Sequence, residues 1–250
     1  GEEMNDRQKA ILRILGQDRE LSVSELTEMF NVSGVTIRQD LDYLQEQGLL
    51  RRVHGGAVLH SAEDIAHRLG INFEAKLKIA ELAAGYVERG DTIFIEAGSA
   101  NAILARQLAS RSKIRVVTSN LFIARTLKDS ELTVVTIGGV YQHESECMVG
   151  RLARLGIEEV NFSKAFIGAD GFTFEHGFTC ADMMRAEVAA AVVENAQEAF
   201  VLTDSTKFGK AALTRICATN DITHLVTDPD IPAEYRAGFA DYSVRLHIAG

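Results

Sequence analysis

The sequence contains only two prolines and three cysteines, and it has no long hydrophobic run. Pro229 and Pro232 both lie near the C-terminus, so no proline-rich linker divides the chain. No apolar stretch approaches the roughly 18 residues that a membrane-spanning helix requires, and no signal-peptide core stands near the N-terminus. Cys147, Cys180 and Cys217 are far apart and form no CxxC pair, which is typical of reduced thiols rather than a disulfide framework. We therefore expect a cytoplasmic protein with no membrane partner.

Positive charge is also scarce. The formal net charge is −9, and residues 1–60 carry seven Lys and Arg against ten Asp and Glu, a net of −3. This balance argues mildly against nucleic-acid binding, but affinity for phosphates depends on where the cations lie. A chain of 250 residues favours one large domain or two unequal ones.

Three short amphipathic helices are predicted in the first sixty residues. The first ends near Gly16, the second begins with the capping box Ser22-Val23-Ser24-Glu25, and the third is capped by Ser33. Three such helices with a tight turn before the last form a helix-turn-helix, whose final helix enters the major groove by its N-terminal residues. Apolar residues at helical spacing mark the inner faces: Ile11, Ile14, Leu15, Leu26, Met29, Phe30, Ile37, Leu41 and Leu44.

A β-hairpin is predicted directly after the third helix. Residues 49–53 and 57–59 have the character of short strands, and Gly55-Gly56 suits the turn between them. The alternative is an ordinary helical bundle with a hairpin, but caps, spacing and hairpin follow one another in the order of a winged helix-turn-helix. We predict this domain over residues 1–60, with operator DNA as its partner. The expected DNA-contacting residues are Ser33, Val35, Thr36, Arg38, Gln39, Arg51, Arg52 and His54.

From about residue 72 onwards, strand-like and helical segments alternate. This alternation predicts an α/β domain over residues 61–250, built on a mostly parallel sheet covered by helices. Ligands of such sheets bind outside the carboxyl ends of the strands. Strands are expected at 92–95, 114–118, 132–137, 164–168, 198–203 and 224–227, and helices include 99–109, 120–127 and 181–195.

Five of these strands are followed by residues that suit an anion site. Small residues let backbone N–H groups approach an anion, and helix N-termini supply partial positive charge. Lys207 adds a full charge, and nearby carboxylates can accept hydrogen bonds from sugar hydroxyls. Glycine and serine are also common turn residues, so the prediction rests on five segments converging at one edge. The candidates are Glu96, Gly98, Ser99, Ala100, Asn101, Ser119, Asn120, Gly138, Gly139, Asp170, Asp204 and Lys207.

Both halves of the chain resemble the DeoR family of bacterial regulators. The N-terminal match is Val32-Ser33-x-x-Thr36-Ile37-Arg38-x-Asp40-Leu41, then Leu44, Gly48 and Arg52-x-His54-Gly55-Gly56-Ala57. The C-terminal half is similar to the sensor domain of that family, whose fold resembles ribose-5-phosphate isomerase. Its matching motifs are Gly90-Asp91-Thr92, Gly98-Ser99, Gly138-Gly139, Gly168-x-Asp170-Gly171 and Asp204-x-x-Lys207-Phe208-Gly209.

The resemblance implies a repressor of a carbohydrate catabolic operon, relieved by a phosphorylated sugar and needing no cofactor. It adds Arg68, Lys76, Thr118 and Glu187 to the effector-binding candidates. Because one winged domain with few cations would bind DNA weakly, we expect a homo-oligomer, either a dimer or a tetramer. Gln39 departs from the arginine common in the family, and glutamine suits adenine where arginine favours guanine.

An enzyme is the competing class, namely a sugar-phosphate isomerase with a DNA-binding appendage. Isomerisation needs a carboxylate base, and the isomerase loop reads Asp-Gly-Ala-Asp, whereas this sequence has Ile167-Gly168-Ala169-Asp170. A binding protein needs only the anion cradle and the hydroxyl acceptors, so the sequence favours a sensor without catalytic residues. No strand is followed by GxGxxG, and the seven histidines show no HxxxH spacing, so neither a nicotinamide site nor a metal site is expected.

Overall fold

The computed structural model describes residues 4–17, 20–46, 49–58, 68–69 and 71–250. The chain divides into two compact units, Gly1–Glu74 and Ala75–Gly250. The predicted boundary between 60 and 61 lies within 59–67, outside the described residues, so the limits 1–60 and 61–250 remain a prediction. Among the helices of the described ranges, none is both long and apolar enough to cross a bilayer.

The N-terminal unit combines three helices with a small antiparallel sheet. Both caps form as predicted: Ser22 Oγ accepts a hydrogen bond from Glu25 N–H at 3.1 Å, and Ser33 Oγ accepts one from Thr36 N–H at 3.2 Å. Met29, expected on the apolar face of the second helix, is 54% exposed, because spacing shows a stripe but not how much of it is covered. The elements are α1 (Asp6–Gln17), β1 (Glu20–Ser22), α2 (Val23–Phe30), α3 (Gly34–Glu46), β2 (Arg51–Val53) and β3 (Gly56–Val58).

The hairpin β2–β3 is shifted by one residue from the prediction. Val53 pairs with Gly56, so the turn residues are His54 and Gly55, and Gly55 has a φ of 82°. Strand β1, which was not predicted, pairs with β3 to give the order β1-β3-β2. A Cβ on Gly56 would lie 2.3 Å from the Leu21 carbonyl oxygen, so this strand pairing requires glycine.

The C-terminal unit is built on seven parallel strands in the order β15-β14-β12-β9-β4-β5-β6. The chain runs outward from β4 to β6, then returns to β9 and runs outward the other way. The switch point of the sheet therefore lies between β4 and β9, where a crevice forms at the carboxyl ends. The strands are β4 (Thr92–Ile95), β5 (Arg115–Thr118), β6 (Thr133–Thr136), β9 (Lys164–Ile167), β12 (Glu198–Leu202), β14 (His224–Thr227) and β15 (Arg245–Ile248).

The predicted α/β class and its six strands are confirmed, but the smaller elements were missed. β7 (Val140–Gln142) and β8 (Cys147–Val149) form a hairpin, and β10 (Gly171–Thr173), β11 (Gly177–Cys180) and β13 (Thr214–Cys217) form an antiparallel sheet. The helices of this unit are Phe73–Ala84, Ser99–Leu108, Leu121–Thr126, Arg151–Glu158, Met183–Asn195 and Ala233–Gly238. The predicted helix 181–195 begins at Met183, because Asp182 caps it by accepting from Arg185 N–H at 2.8 Å.

Polar groups near the amino-terminal ends of β12 and β14 form a partly buried chain. His224 hydrogen bonds to Glu198 at 3.0 Å and to His247 at 2.9 Å, and His247 hydrogen bonds to Tyr86 at 3.1 Å. Burial lowers the pKa of His247, and the charges of His224 and Arg245 lower it further. These histidines therefore contribute to packing at an edge of the sheet. They lie away from the carboxyl ends of the strands, which carry the candidate effector residues.

Candidate DNA-binding and effector sites

A cleft of about 660 Å³ lies between α2, the start of α3 and the turn of the hairpin β2–β3, which is the wing of the predicted winged helix-turn-helix. It is lined by Arg38 from α3, the recognition helix that is predicted to enter the major groove, and by Arg52 and His54 from the wing. The N-terminal unit is acidic overall, yet these basic side chains share one concave face. Among the described residues that line the cleft, Glu28 is the one acid, so basic groups are in local excess there, which suits phosphate and which the net charge obscures.

The other predicted DNA contacts lie on the recognition helix or beside the cleft. Ser33, Arg38 and Gln39 are exposed, and Val35 is 62% exposed. Thr36 is half-buried because its side chain hydrogen bonds to Ser33 at 2.9 Å. Arg51 is exposed but does not line the cleft.

Arg52 is held in place by the recognition helix. Its guanidinium pairs with Asp42, and its backbone N–H donates to Gln45 Oε1 at 2.8 Å. These contacts fix the wing against α3. They also mean that Arg52 offers a partly neutralised charge to the cleft, unlike Arg38.

Asp40 connects the first and third helices. It is buried, and it accepts hydrogen bonds from Arg7 Nε at 2.5 Å and from Gln8 Nε2 at 3.1 Å. A buried carboxylate with two donors fixes helix orientation, since losing either donor would leave charge without compensation. Asp40 therefore orients the helix that presents Arg38.

At the switch point of the large sheet, the loops after β4 and β9 meet closely. A Cβ on Gly168 would lie 3.2 Å from the Ala97 carbonyl oxygen and 3.7 Å from Gly98 Cα. Gly98 has a φ of 145°, which few other residues adopt. Gly168 N–H also donates to Glu96 Oε2 at 3.3 Å. The φ of Gly98 thus favours glycine, and a side chain at Gly168 would press on the Ala97 carbonyl.

The helix Ser99–Leu108 begins in this crevice. Its first internal hydrogen bond runs from Ala102 N–H to the Gly98 carbonyl at 2.9 Å, and among the described residues no side chain caps it. The N–H groups of Ser99, Ala100 and Asn101 therefore have no partner inside the helix. Such an end can accept an anion.

Several polar residues predicted to bind the effector make hydrogen bonds that support the crevice. Asn101 is fully buried and its Nδ2 donates to the carbonyls of Glu96, Ala97 and Phe166 at 3.0 to 3.3 Å. Thr118 Oγ1 donates to the Ile95 carbonyl at 2.7 Å. Asn120, also fully buried, caps the next helix at 3.0 Å and donates to the Ser145 carbonyl at 2.9 Å. Ser119 is buried between them. These hydrogen bonds hold the strand ends in position, and effector binding by the same residues stays a prediction.

The charged part of the rim is centred on Asp204. Burial raises the pKa of Asp204, but hydrogen bonds from Thr206 and the charges of Lys76 and Lys207 lower it more, so the pKa lies below its ordinary value. Lys76 is buried and Lys207 is half-buried. The charges of two predicted cations from distant parts of the sequence therefore act on one carboxylate.

Sequence reasoning missed Asp228, which holds the loop of Lys207. It is buried at the end of β14 and accepts hydrogen bonds from Ser205 N–H at 2.6 Å and Asp230 N–H at 3.0 Å. The signal was available, since Asp228 follows a predicted strand as directly as Asp204 does.

Sequence reasoning also missed Arg185. This guanidinium is buried in the helix Met183–Asn195; burial lowers its pKa, but Cys180, Asp170 and, more weakly, Glu96 raise it above the ordinary value. The charges of two predicted carboxylates thus act on one buried cation. Its sequence signal is its position on an apolar helical stripe with Val188 and Val192.

The remaining predicted effector residues are less central. Glu187 is exposed, two positions beyond the buried Arg185, and Arg68 belongs to the N-terminal unit by the division above. Gly138 is exposed, while a Cβ on Gly139 would lie 2.6 Å from the Val149 carbonyl oxygen, which places Gly139 against β8. Their roles in binding stay predictions. Within the described ranges, no three His, Cys, Asp or Glu side chains group as a metal ion would require.

Comparison with known proteins agrees with both units. Residues 7–63 match the model of the DeoR-like helix-turn-helix domain, and residues 71–229 match the DeoR C terminal sensor domain. The chain is 33% identical over 249 residues to the HTH-type transcriptional regulator GolR of Listeria innocua, covering 98% of each chain. It is 32% identical to the lactose phosphotransferase system repressor of Lactococcus lactis, covering 96% of this chain and 97% of that one.

Among solved structures, a ribose 5-phosphate isomerase from Methanocaldococcus jannaschii aligns with 55% of each chain, at 22% identity and a TM-score of 0.42. The matches to both domain models extend from the recognition helix to the rim around Asp204. This chain belongs to the DeoR family of DNA-binding transcriptional regulators.

Proposed function

We propose that this regulator represses a carbohydrate catabolic operon in the cytoplasm and is released by a phosphorylated sugar bound at the carboxyl edge of the large sheet. One observation carries the proposal: the charges of Lys76 and Lys207 both act on the buried Asp204, at the same edge as the start of the helix Ser99–Leu108, which no described side chain caps. Cations and free backbone N–H groups suit a phosphate, and carboxylates suit sugar hydroxyls.

The proposed regulator is a homo-oligomer, a dimer or a tetramer, that places two winged domains on a palindromic operator. The effector acts by population shift, binding one arrangement of the winged domains better than the other. The relative from Lactococcus lactis is named a lactose phosphotransferase system repressor, which supports the assignment to carbohydrate metabolism.

The proposed protein is a sensor without catalytic turnover. An isomerase-like loop would need a carboxylate in place of Ile167, whose side chain is fully buried in the core. Asp170 is engaged as well, since its Oδ2 accepts from Ala181 N–H at 2.9 Å. A bound sugar phosphate would therefore be held without an available pair of catalytic acids.

A thermal-shift screen tests this proposal. A phosphorylated sugar at 100 times its Kd should raise the free energy of unfolding by about 2.7 kcal/mol and thereby raise the Tm. We expect its unphosphorylated parent to have little effect. The same compound should release the protein from an operator selected out of a random duplex library. Equal stabilisation by the sugar and its phosphate would contradict a phosphate site.

A second prediction concerns the wing. Arg52→Ala should weaken binding to the selected operator and to random DNA alike, and reduce the salt slope by about one unit, because Arg52 contacts backbone rather than bases. Asp42→Asn removes the acid that pairs with Arg52 and should strengthen binding to both DNAs. Salt titrations in a fluorescence anisotropy assay measure both effects. A loss confined to the selected operator would show that Arg52 reads sequence.

A further inference from the structure

Exposed apolar side chains concentrate on one surface of the C-terminal unit. It is formed by the hairpin β7–β8 and by the first turns of the helices Arg151–Glu158 and Met183–Asn195; we call it the hairpin–helix surface. Most of the large apolar side chains that are exposed in the described part of this unit belong to it. They are Val140, Tyr141, Leu152, Leu155, Met183 and Met184, between 36% and 69% exposed.

The three segments form one continuous surface. A Cβ on Gly150 would lie 3.7 Å from Met184 Cε and 3.8 Å from Val140 Cγ2, so these two side chains meet over the glycine. Gln142 Nε2 donates to Asp182 Oδ2 at 3.2 Å, which ties the hairpin to the cap of the second helix. The apolar groups are therefore neighbours in space.

The helix Arg151–Glu158 is apolar on two sides. Ala153 and Ile157 are fully buried against the unit, while Leu152 and Leu155 face outward at 69% and 44% exposure. One side suffices to hold a surface helix on its core. The outward leucines leave the helix with a second apolar face, and contiguous exposed patches of this kind mark interaction sites.

We propose that the hairpin–helix surface is the interface with a second copy of this chain, related by a two-fold axis. Six exposed apolar side chains, with the same six on the partner, form the apolar centre that a standard interface of about 800 Å² per partner requires. Exposed charges of both signs accompany it, Arg151 on one helix and Glu187 on the other. A surface that carries both signs of charge can be complementary to itself, as a two-fold interface requires.

This interface supplies the contact for the homo-oligomer proposed above and rests on that part of the proposed function. It depends on neither the effector nor the operator. Sedimentation velocity of the free full-length chain at micromolar concentration can therefore test it separately from sugar and DNA binding.

The test compares the wild type with the double variant Leu152→Asp, Met183→Asp. We expect a wild-type dimer or tetramer and a variant that dissociates to a smaller species, with association weakened at least a hundredfold, because four carboxylates would be buried per dimer interface. Met29→Asp makes the same chemical change at an exposed methionine of the N-terminal unit and should sediment as wild type. Circular dichroism checks the fold of each variant.

A milder variant keeps the result independent of how the double variant folds. Leu152→Gln retains size and adds no charge, and it should weaken association in the same direction by a smaller factor. A wild-type oligomer that the double variant leaves intact would overturn this interface alone. A monomeric wild type would overturn both the interface and the proposed oligomer.

Discussion

We expect Arg38→Ala to abolish specific operator binding, lowering affinity about a hundredfold towards that for random DNA, since a bidentate base contact contributes about 1–3 kcal/mol. Arg38 is exposed on the N-terminal turns of α3 and lines the cleft with Arg52 and His54. The fold should persist because the core of α3 is formed by other residues, Ile37 and Leu41, which are fully buried. Gel-shift titration on selected and random duplexes measures the loss.

Arg13→Ala provides the matched control. Arg13 is exposed on α1, so this variant loses the same charge outside the recognition helix and should keep nearly all specific affinity. Equal affinity of Arg38→Ala and the wild type for the operator would show that another face reads the bases. An equal loss in both variants would point to net charge instead of position.

The winged helix could be predicted from sequence because its signals are local. The cap from Ser22 to Glu25, the cap from Ser33 to Thr36, and the spacing of Ile37 and Leu41 all operate within a few residues. Strand β1 could not be predicted, because three residues, Glu20–Ser22, become a strand only by pairing with β3. The salt bridge between Arg52 and Asp42 depends likewise on how the wing docks on α3.

In the sensor domain too, local signals could be predicted from the sequence, whereas tertiary contacts could not. Alternation of apolar strands and helices predicted the sheet, and the rule of strand ends found five loops that follow five adjacent strands, β12, β9, β4, β5 and β6. The rule does not say which side chains turn inward. The side-chain N–H groups of Asn101 and Asn120 donate to backbone carbonyls. Arg185 lies outside every strand-end loop, yet it is a buried cation on which the charges of Asp170 and Glu96 act. Only tertiary packing distinguishes a supporting amide from a ligand-facing one.

The arrangement around Arg185 bears on how an effector could be sensed. Its guanidinium is buried near Asp170 and Glu96, and Glu96 also accepts from Gly168 N–H at the switch point. A sugar hydroxyl that bonds to either carboxylate would compete for the same acceptor oxygens. Arg185 belongs to the helix Met183–Asn195, whose first turn also carries Met183 and Met184 of the hairpin–helix surface.

Lys207→Ala should leave operator binding normal and raise the effector concentration needed for release by tenfold or more. The variant loses one charge-assisted contact to a phosphate, worth roughly 1.5–3 kcal/mol. Lys207 acts on Asp204 together with Lys76, and its loop is pinned by Asp228 through Ser205 N–H, so the charge is held at the rim. With an inducing effector, the variant behaves as a super-repressor. Effector titration of preformed protein–operator complexes measures the shift.

Lys210→Ala is the control, because Lys210 is an exposed lysine three positions further along the same loop. It should respond to effector as the wild type does, since a general change of charge would affect both variants equally. A normal response of Lys207→Ala would place the phosphate elsewhere while leaving the fold assignment intact.

The wild type should also show no isomerase turnover on the compound that stabilises it, because the buried Ile167 supplies no second acid to the loop. Turnover on that compound would overturn the sensor assignment, so effector titration and a turnover assay together separate phosphate binding at Lys207 from catalysis.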